Sequence, residues 1–212
     1  MRTARGVVYV AYGRHAISAV KASVASLKRY NSFPIVVISD KIGLEIPGAD
    51  TIRLSSTGMT DIQRSRNAKL RILSYVPEEW SSILYLDADT EVQGKLLQGF
   101  KVLEEGWDLA IVPSAYQGRG LFQHIEDTER GYTVEALQNP EPLQLQAGVM
   151  FIRRSETMMT FFQTWRAEWK RFGSQDQAAL LRALDKTPIR ICLLGRDYNG
   201  GELVAHHFGR AR

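Results

Sequence analysis

At 212 residues and 23.9 kDa, the chain has room for one domain with a sizeable core, given the usual ~100–200 residues per domain. Hydrophobic residues at 44% and charged residues at 24% match ordinary globular proteins (roughly 45–50% and 25%) and exclude disordered, collagen-like and coiled-coil classes. Twenty-seven Lys and Arg against twenty-three Asp and Glu give +4 and a pI of about 9.2, which favours anionic ligands but lacks the dense basic patterning of a nucleic-acid binder, so no nucleic-acid partner is expected. The single cysteine, Cys192, asks for no oxidising compartment, and a cytoplasmic location is the expectation. The early apolar run Val7 to Tyr12 is too brief for a signal segment. No stretch approaches the roughly 20 apolar residues of a membrane span, so any membrane contact is expected to be peripheral.

Taken in chain order, periodicity predicts a strand over Val7 to Tyr12 and a helix from Ala16 to Tyr30. A strand over Pro34 to Asp40, a short one over Thr51 to Leu54 and a charged helix from Ile62 to Tyr75, stopped before Pro77, come next. Ile83-Leu84-Tyr85-Leu86 is apolar without alternation, as in a strand covered on both faces at the centre of a largely parallel sheet. Beyond it the pattern gives a helix over Leu96 to Glu105, a strand over Asp108 to Pro113, a polar stretch 114–142, a strand over Leu145 to Arg153, two helices and a last strand over Leu203 to His206. The alternation predicts one α/β domain over 1–212, a mixed, mostly parallel sheet flanked by helices. The stretch 114–142 is longer than an average connection and reads as a lid or acceptor loop, or as a plain surface excursion with a short helix.

Asp87-Ala88-Asp89 follows the apolar strand directly, so both carboxylates are delivered at its carboxyl end, where α/β sheets bind ligands. In an extended chain, residues two apart project from one face and can converge on one cation. Carboxylates with water and phosphate oxygens suit Mg2+ or Mn2+, and an added imidazole favours Mn2+ over Ca2+. The competing reading is an Asx turn that merely reverses the chain. Near the other end stand His206 and His207, and strand neighbours point to opposite faces, so only one can face a metal. His15 and His124 have no ligand partner at a useful spacing.

Together these features resemble the retaining GT-A glycosyltransferases of the glycogenin and lipopolysaccharide galactosyltransferase kind. The resemblance rests on Leu84-Tyr85-Leu86-Asp87-Ala88-Asp89-Thr90, on His206, Gly209 and Arg212 as a late H-x-x-G followed by a basic residue, on Gln146-Ala147-Gly148-Val149 with Gln146 where the family has Asn, and on Asp176-Gln177 opening a helix. It implies a single Rossmann-like GT-A domain that transfers a sugar from a nucleoside-diphosphate donor, UDP-linked for preference, to a glycan, lipid, protein or small-molecule acceptor. Asp87, Asp89 and His206 would then hold Mn2+ or Mg2+, and Gly209 and Arg212, with Lys69 or Arg71, would serve the diphosphate. Tyr12 would stack on the nucleobase. Asp176 would contact the sugar near the reacting carbon, with Gln146 and Gln177 beside it. Such a site suits the chemistry, because breaking the anomeric bond leaves negative charge on the departing phosphate.

Three alternatives stay open on the sequence. One is a sugar-phosphate nucleotidyltransferase, although Tyr12-Gly13-Arg14-His15 is a poor match to its glycine-rich loop. Another is an aspartate-nucleophile phosphatase, which normally carries D-x-D on its first strand. The third is a nucleotide-sugar binding module without catalysis.

Overall fold

The computed structural model describes residues 4–55, 57–115 and 125–207. Strand β1 (Arg5–Val10) feeds helix α1 (Gly13–Tyr30); β2 (Ile35–Ser39) and β3 (Asp50–Arg53) follow, and α2 (Asp61–Lys69) and a 3-10 turn at Ile72–Ser74 lead to β4 (Ser82–Asp87). Next come β5 (Thr90–Val92), α3 (Leu97–Glu104), β6 (Leu109–Pro113), α4 (Asp127–Leu137), β7 (Leu145–Arg153) and α5 (Glu156–Lys170). The described part ends with α6 (Asp176–Lys186), β8 (Ile191–Leu193), a 3-10 turn at Arg196–Tyr198 and β9 (Val204–His206).

A seven-stranded sheet runs β3-β2-β1-β4-β7-β6-β8, and β5 and β9 form a separate two-stranded ribbon. Within the large sheet only β7 runs against its neighbours β4 and β6, which is the mixed, mostly parallel sheet expected. The pleat divides its apolar side chains between two layers. Val8, Val10, Ile83 and Tyr85 share a cluster with Phe161 and Trp165 of α5 and Ala179 of α6. Val7, Tyr9, Leu84 and Leu86 share the other with Val24 and Leu27 of α1 and Phe100 of α3.

Two differences from the sequence reading have local causes. The single helix expected over 62–75 is α2 and a 3-10 turn, because Arg71, at φ −132 and ψ 11, leaves helical geometry. Its start is set by a capping box: the Thr60 hydroxyl accepts from the Gln63 N–H at 3.2 Å, and the Gln63 side chain accepts from the Thr60 N–H at 3.1 Å. Strands β5 and β8 went unread, since three residues each hold too little alternation to register. In the polar stretch 114–142, residues 116–124 lie outside the described part, and α4 supplies the short helix.

Helix α4 is fastened to α5 and α6 by a buried charge cluster. Arg182 of α6 is 1% exposed; its Nε donates to Glu168 Oε2 and its Nη2 to Glu129 Oε1, both at 3.1 Å, while Nη1 reaches the Thr133 hydroxyl. Burial raises both carboxyls; Arg182 only partly offsets this at Glu129, whereas Lys186 and Arg182 bring Glu168 below its ordinary value. Replacing Arg182 by Leu strands the buried Glu129, while Glu168 keeps Lys186 and Arg171, and should destabilise the fold by ~3–5 kcal/mol. The check is a denaturation midpoint, with faster amide exchange in α4 than in β4 as the local signature.

Candidate active site

Strand β4 delivers Asp87 at its end, and the chain turns at once: the Thr90 hydroxyl donates to the Asp87 carbonyl at 2.8 Å. Asp87 and Asp89 therefore converge through a turn, and not across an extended pleat as the sequence suggested. The chain does turn here, and the turn leaves both carboxylates where one cation could meet them. From the turn, β5 pairs antiparallel with β9 in the register Thr90↔His206, and the His207 N–H donates to the Asp89 carbonyl at 3.0 Å. The ribbon brings His206 Nε2 to 3.2 Å from Asp89 Oδ1 and 3.7 Å from Asp87 Oδ2. One ligand atom from each of the three lies within 4.8 Å of the others, close to the ~3–4 Å that separates atoms sharing one ion at about 2.1 Å. Two carboxylates and an imidazole thus fit a divalent cation of the Mn2+ or Mg2+ kind.

Beside this cluster lies a buried ion pair. Lys69, at the end of α2 and 5% exposed, sits 2.8 Å from Asp176 Oδ2 and 3.7 Å from Asp87 Oδ1. Asp176 opens α6, where its carboxylate also meets the positive end of the helix dipole. Its position is fixed from below by Trp165, whose Nε1 donates to the Asp176 carbonyl at 2.8 Å. Burial pushes the Lys69 ammonium down, yet Asp176 and Asp87 outweigh it and hold lysine above its usual value. Burial likewise pushes Asp176 up, and Lys69 more than reverses this. Tyr85, two residues before Asp87 and on the same face of β4, donates its hydroxyl to Asp87 Oδ1 at 2.6 Å. Burial pushes that phenol well above its ordinary range, and the Asp87 carboxylate adds to the effect.

These groups line one cleft of about 1250 Å3 with Tyr12, Arg66, Gln146, Gly148 and Gln177, somewhat above the ~300–1,000 Å3 of most small-ligand pockets. Gln177 donates its amide to the Gln146 carbonyl oxygen. Gly148 of β7 is a close approach: a Cβ there would meet the His206 ring and stand 2.9 Å from Asp87 Oδ2. Antiparallel β7 brings its first residues, Gln146 and Gly148, to the edge where parallel β4 brings its last.

The structure gathers Tyr12, Lys69, Asp87, Asp89, Gln146, Asp176, Gln177 and His206 at this cleft. Tyr12 is 3% exposed, with its hydroxyl on the Leu54 carbonyl at 2.8 Å and the Arg64 guanidinium over its ring at 5.4 Å. Arg71 goes elsewhere: it stacks on Tyr75 at 5.1 Å and lines a smaller cavity with Met159 and Arg166. Gly209, Arg212 and His124 lie outside the described residues. His207 reaches Glu91 Oε2 at 3.4 Å, whereas its neighbour faces Asp87 and Asp89, as strand alternation requires. His15 lines the mouth of the cleft away from the acid cluster. The sequence reading assigned no role to Tyr85, Gly148 or Asn199. Strand periodicity already places Tyr85 beside Asp87, but nothing local marks Asn199.

The sequence matches no family model and no curated protein. Among solved structures, the bifunctional glycosyltransferase WbbM superposes with TM-score 0.66 at 15% identity over 94% of this chain and 40% of its own. Galactosyltransferase LgtC, in complex with donor and acceptor sugar analogues, gives 0.62 at 15% over 92% and 74%. Mouse xyloside xylosyltransferase 1 gives 0.60 at 13% over 92% and 86%.

The chain has the GT-A fold. At these identities the likeness concerns architecture, and the chain spans two fifths of WbbM. Within a GT-A fold the edge formed by the ends of β1 and β4 is the cleft described above. No helix of the described residues is long and apolar enough to cross a membrane.

The Lys69–Asp176 pair generates a pH signature. Asp176, held below its ordinary value, contributes stability that is present above about pH 4 and lost as pH falls through its lowered pKa. Lys69, held above its ordinary value, contributes stability that is present below about pH 10 and lost as pH rises through its raised pKa. Asp176→Asn should therefore melt below wild type at neutral pH, with the gap closing on acidification. Thermal melts across pH read this directly.

Proposed function

We propose that the protein is a metal-dependent glycosyltransferase that moves a sugar from a nucleoside-diphosphate sugar, UDP-linked for preference, to an acceptor with retention. The observation that carries the reading is the convergence of Asp87, Asp89 and His206 beside the Lys69–Asp176 pair, in one cleft of a GT-A fold. The LgtC complex with donor and acceptor sugar analogues supports a nucleotide-sugar donor and a sugar acceptor; lipid, protein and small-molecule acceptors are also compatible with the chain's charge. The phosphatase alternative loses support, since Asp87 ends the fourth strand of the chain and the fold matches glycosyltransferases.

In this reading Asp87, Asp89 and His206 hold the cation, with Mn2+ favoured. When bound, it supplies Lewis-acid neutralisation of the departing diphosphate. The bond between the anomeric carbon and the phosphate oxygen breaks with its electron pair going to the diphosphate. The acceptor oxygen bonds to that carbon, and its proton passes to the diphosphate oxygen that has left. Asp176 stays ionised beside Lys69 and offers a carboxylate to the positive charge that develops on the sugar. Gln146 and Gln177, which orient one another, present amides to the sugar hydroxyls. Lys69 balances the charge of Asp87 and Asp176, and Gly209 and Arg212 are proposed for the diphosphate on the strength of the motif. Tyr12, 3% exposed with the Arg64 guanidinium over its ring, has little surface to offer a nucleobase. Arg71 has no part here because of its placement.

Calorimetric titration with UDP, GDP and UDP-sugars, in Mn2+ and in EDTA, tests the proposal. Nucleotide binding should require Mn2+, and the preferred UDP-sugar should hydrolyse slowly without acceptor. Asp89→Ala and His206→Ala should each lower turnover by at least ~100-fold with an unchanged circular dichroism spectrum; wild-type turnover in either would sink the metal assignment. Gly148→Ala should weaken Mn2+ binding by displacing the His206 ring, which electron paramagnetic resonance of free Mn2+ would report.

A further inference from the structure

The stretch between β8 and β9 contributes a residue to the back of the metal cluster. Asn199 follows the 3-10 turn at Arg196–Tyr198, and its Oδ1 lies 2.7 Å from His206 Nδ1. It is 8% exposed, so this bond is made largely out of water. The turn that carries it is closed on both sides: the Asn199 N–H donates to the Arg196 carbonyl at 3.0 Å and the Gly200 N–H to the Val204 carbonyl at 2.7 Å. Gly200, at φ +97, permits the reversal that a side chain would resist. Tyr198 packs edge-on against Phe151 at 5.7 Å, which ties the turn to the core.

The asparagine is placed at a disadvantage to itself, for its Nδ2 is buried without a hydrogen-bond partner. An unpaired buried amide nitrogen is a net cost, so packing alone argues against an asparagine there. What its side chain does accomplish is to offer a carbonyl oxygen to one imidazole nitrogen. An acceptor on Nδ1 requires the proton on Nδ1, and that leaves the lone pair of Nε2 for the space between Asp87 and Asp89. Imidazoles that bind metals are commonly oriented in this way by a partner on the far nitrogen, and loss of such a partner typically weakens the metal 10–100-fold.

We infer that Asn199 is a positioning residue for the cation: by accepting from His206 Nδ1 it fixes the tautomer and the ring plane that make Nε2 a ligand. The inference rests on the proposed metal-dependent function.

The test is Mn2+ affinity by electron paramagnetic resonance in wild type, Asn199→Leu, Asn199→Ala and Asn199→Asp, with Asp89→Ala as the control for the site itself. The Asp variant keeps an acceptor for Nδ1–H, whereas Leu and Ala remove it. Expected are a 10–100-fold weaker Kd for Leu and Ala, recovery to within a few-fold by Asp, and melting temperatures without metal that do not follow this order. Imidazole 15N correlation spectra of the Mg2+-loaded protein should show His206 protonated at Nδ1 in wild type and lose that signature in Asn199→Leu. Mn2+ binding by Asn199→Leu within twofold of wild type, or equal weakening in the Asp variant, overturns the inference while leaving the metal reading intact. Absence of Mn2+ binding in wild type, or wild-type affinity in Asp89→Ala, overturns the metal reading and this inference with it. Should the Leu variant fail to fold, the Ala and Asp pair gives the same contrast.

Discussion

A lysine ammonium with almost no solvent access is tolerable only if carboxylates surround it, and that requirement organises the molecule around Lys69. Its two acids come from different places, Asp176 at the start of α6 and Asp87 at the end of β4, while the Tyr85 ring lies under the ammonium at 4.9 Å. Removing Lys69 or Asp176 leaves its partner buried without its nearest opposite charge, a heavier penalty than losing one contact. These contacts fix α2, α6 and β4 relative to one another beside the cleft. They also let Asp87 and Asp89, two like charges a residue apart, stand close together.

Two features of the sheet complete the cleft. A parallel strand can present only its last residues to that edge, so the reversed β7 adds a different kind of surface there, Gln146 and the bare backbone of Gly148. The register of β6 against β7 shifts between Ile111 and Val112, which increases local twist where β7 enters the cleft. The ribbon of β5 and β9 then folds the far end of the described chain back onto the Asp87–Asp89 turn.

Much of this was legible in the sequence, and what was not has definite causes. The uninterrupted run Ile83 to Leu86 marked a strand covered on both faces, and the acids after it marked the binding edge. The route by which those acids converge was hidden, because a turn and a pleat use the same residues and differ only in the Thr90 bond to the Asp87 carbonyl. Lys69 and Arg71 carry the same charge, and the resemblance alone leaves the choice between them open. Residues two apart on a helix do not share a face, so only one of them can reach the cleft; the break at Leu70 and Arg71 itself leaves no mark in a run of helix-compatible residues. Asn199 stands in Tyr198-Asn199-Gly200-Gly201, which reads as an ordinary turn; its meaning comes from β9 returning beside it, a long-range event without local trace. Positions 146, 176 and 177 were named through the motifs they sit in, and the structure adds the Gln146–Gln177 bond that motif spacing does not contain.

The ribbon ties the imidazole to the interior. It lies outside the seven-stranded sheet, yet Val92 and Val204 are buried in the cluster that holds Val24 and Leu27 of α1 and Phe100 of α3, and the Val92 N–H donates to the Ser26 hydroxyl at 2.9 Å. The ring of His206 is therefore seated by packing on the far side of the ribbon, so a cavity cut at Val92 or Val204 reaches the cleft without touching any residue that lines it.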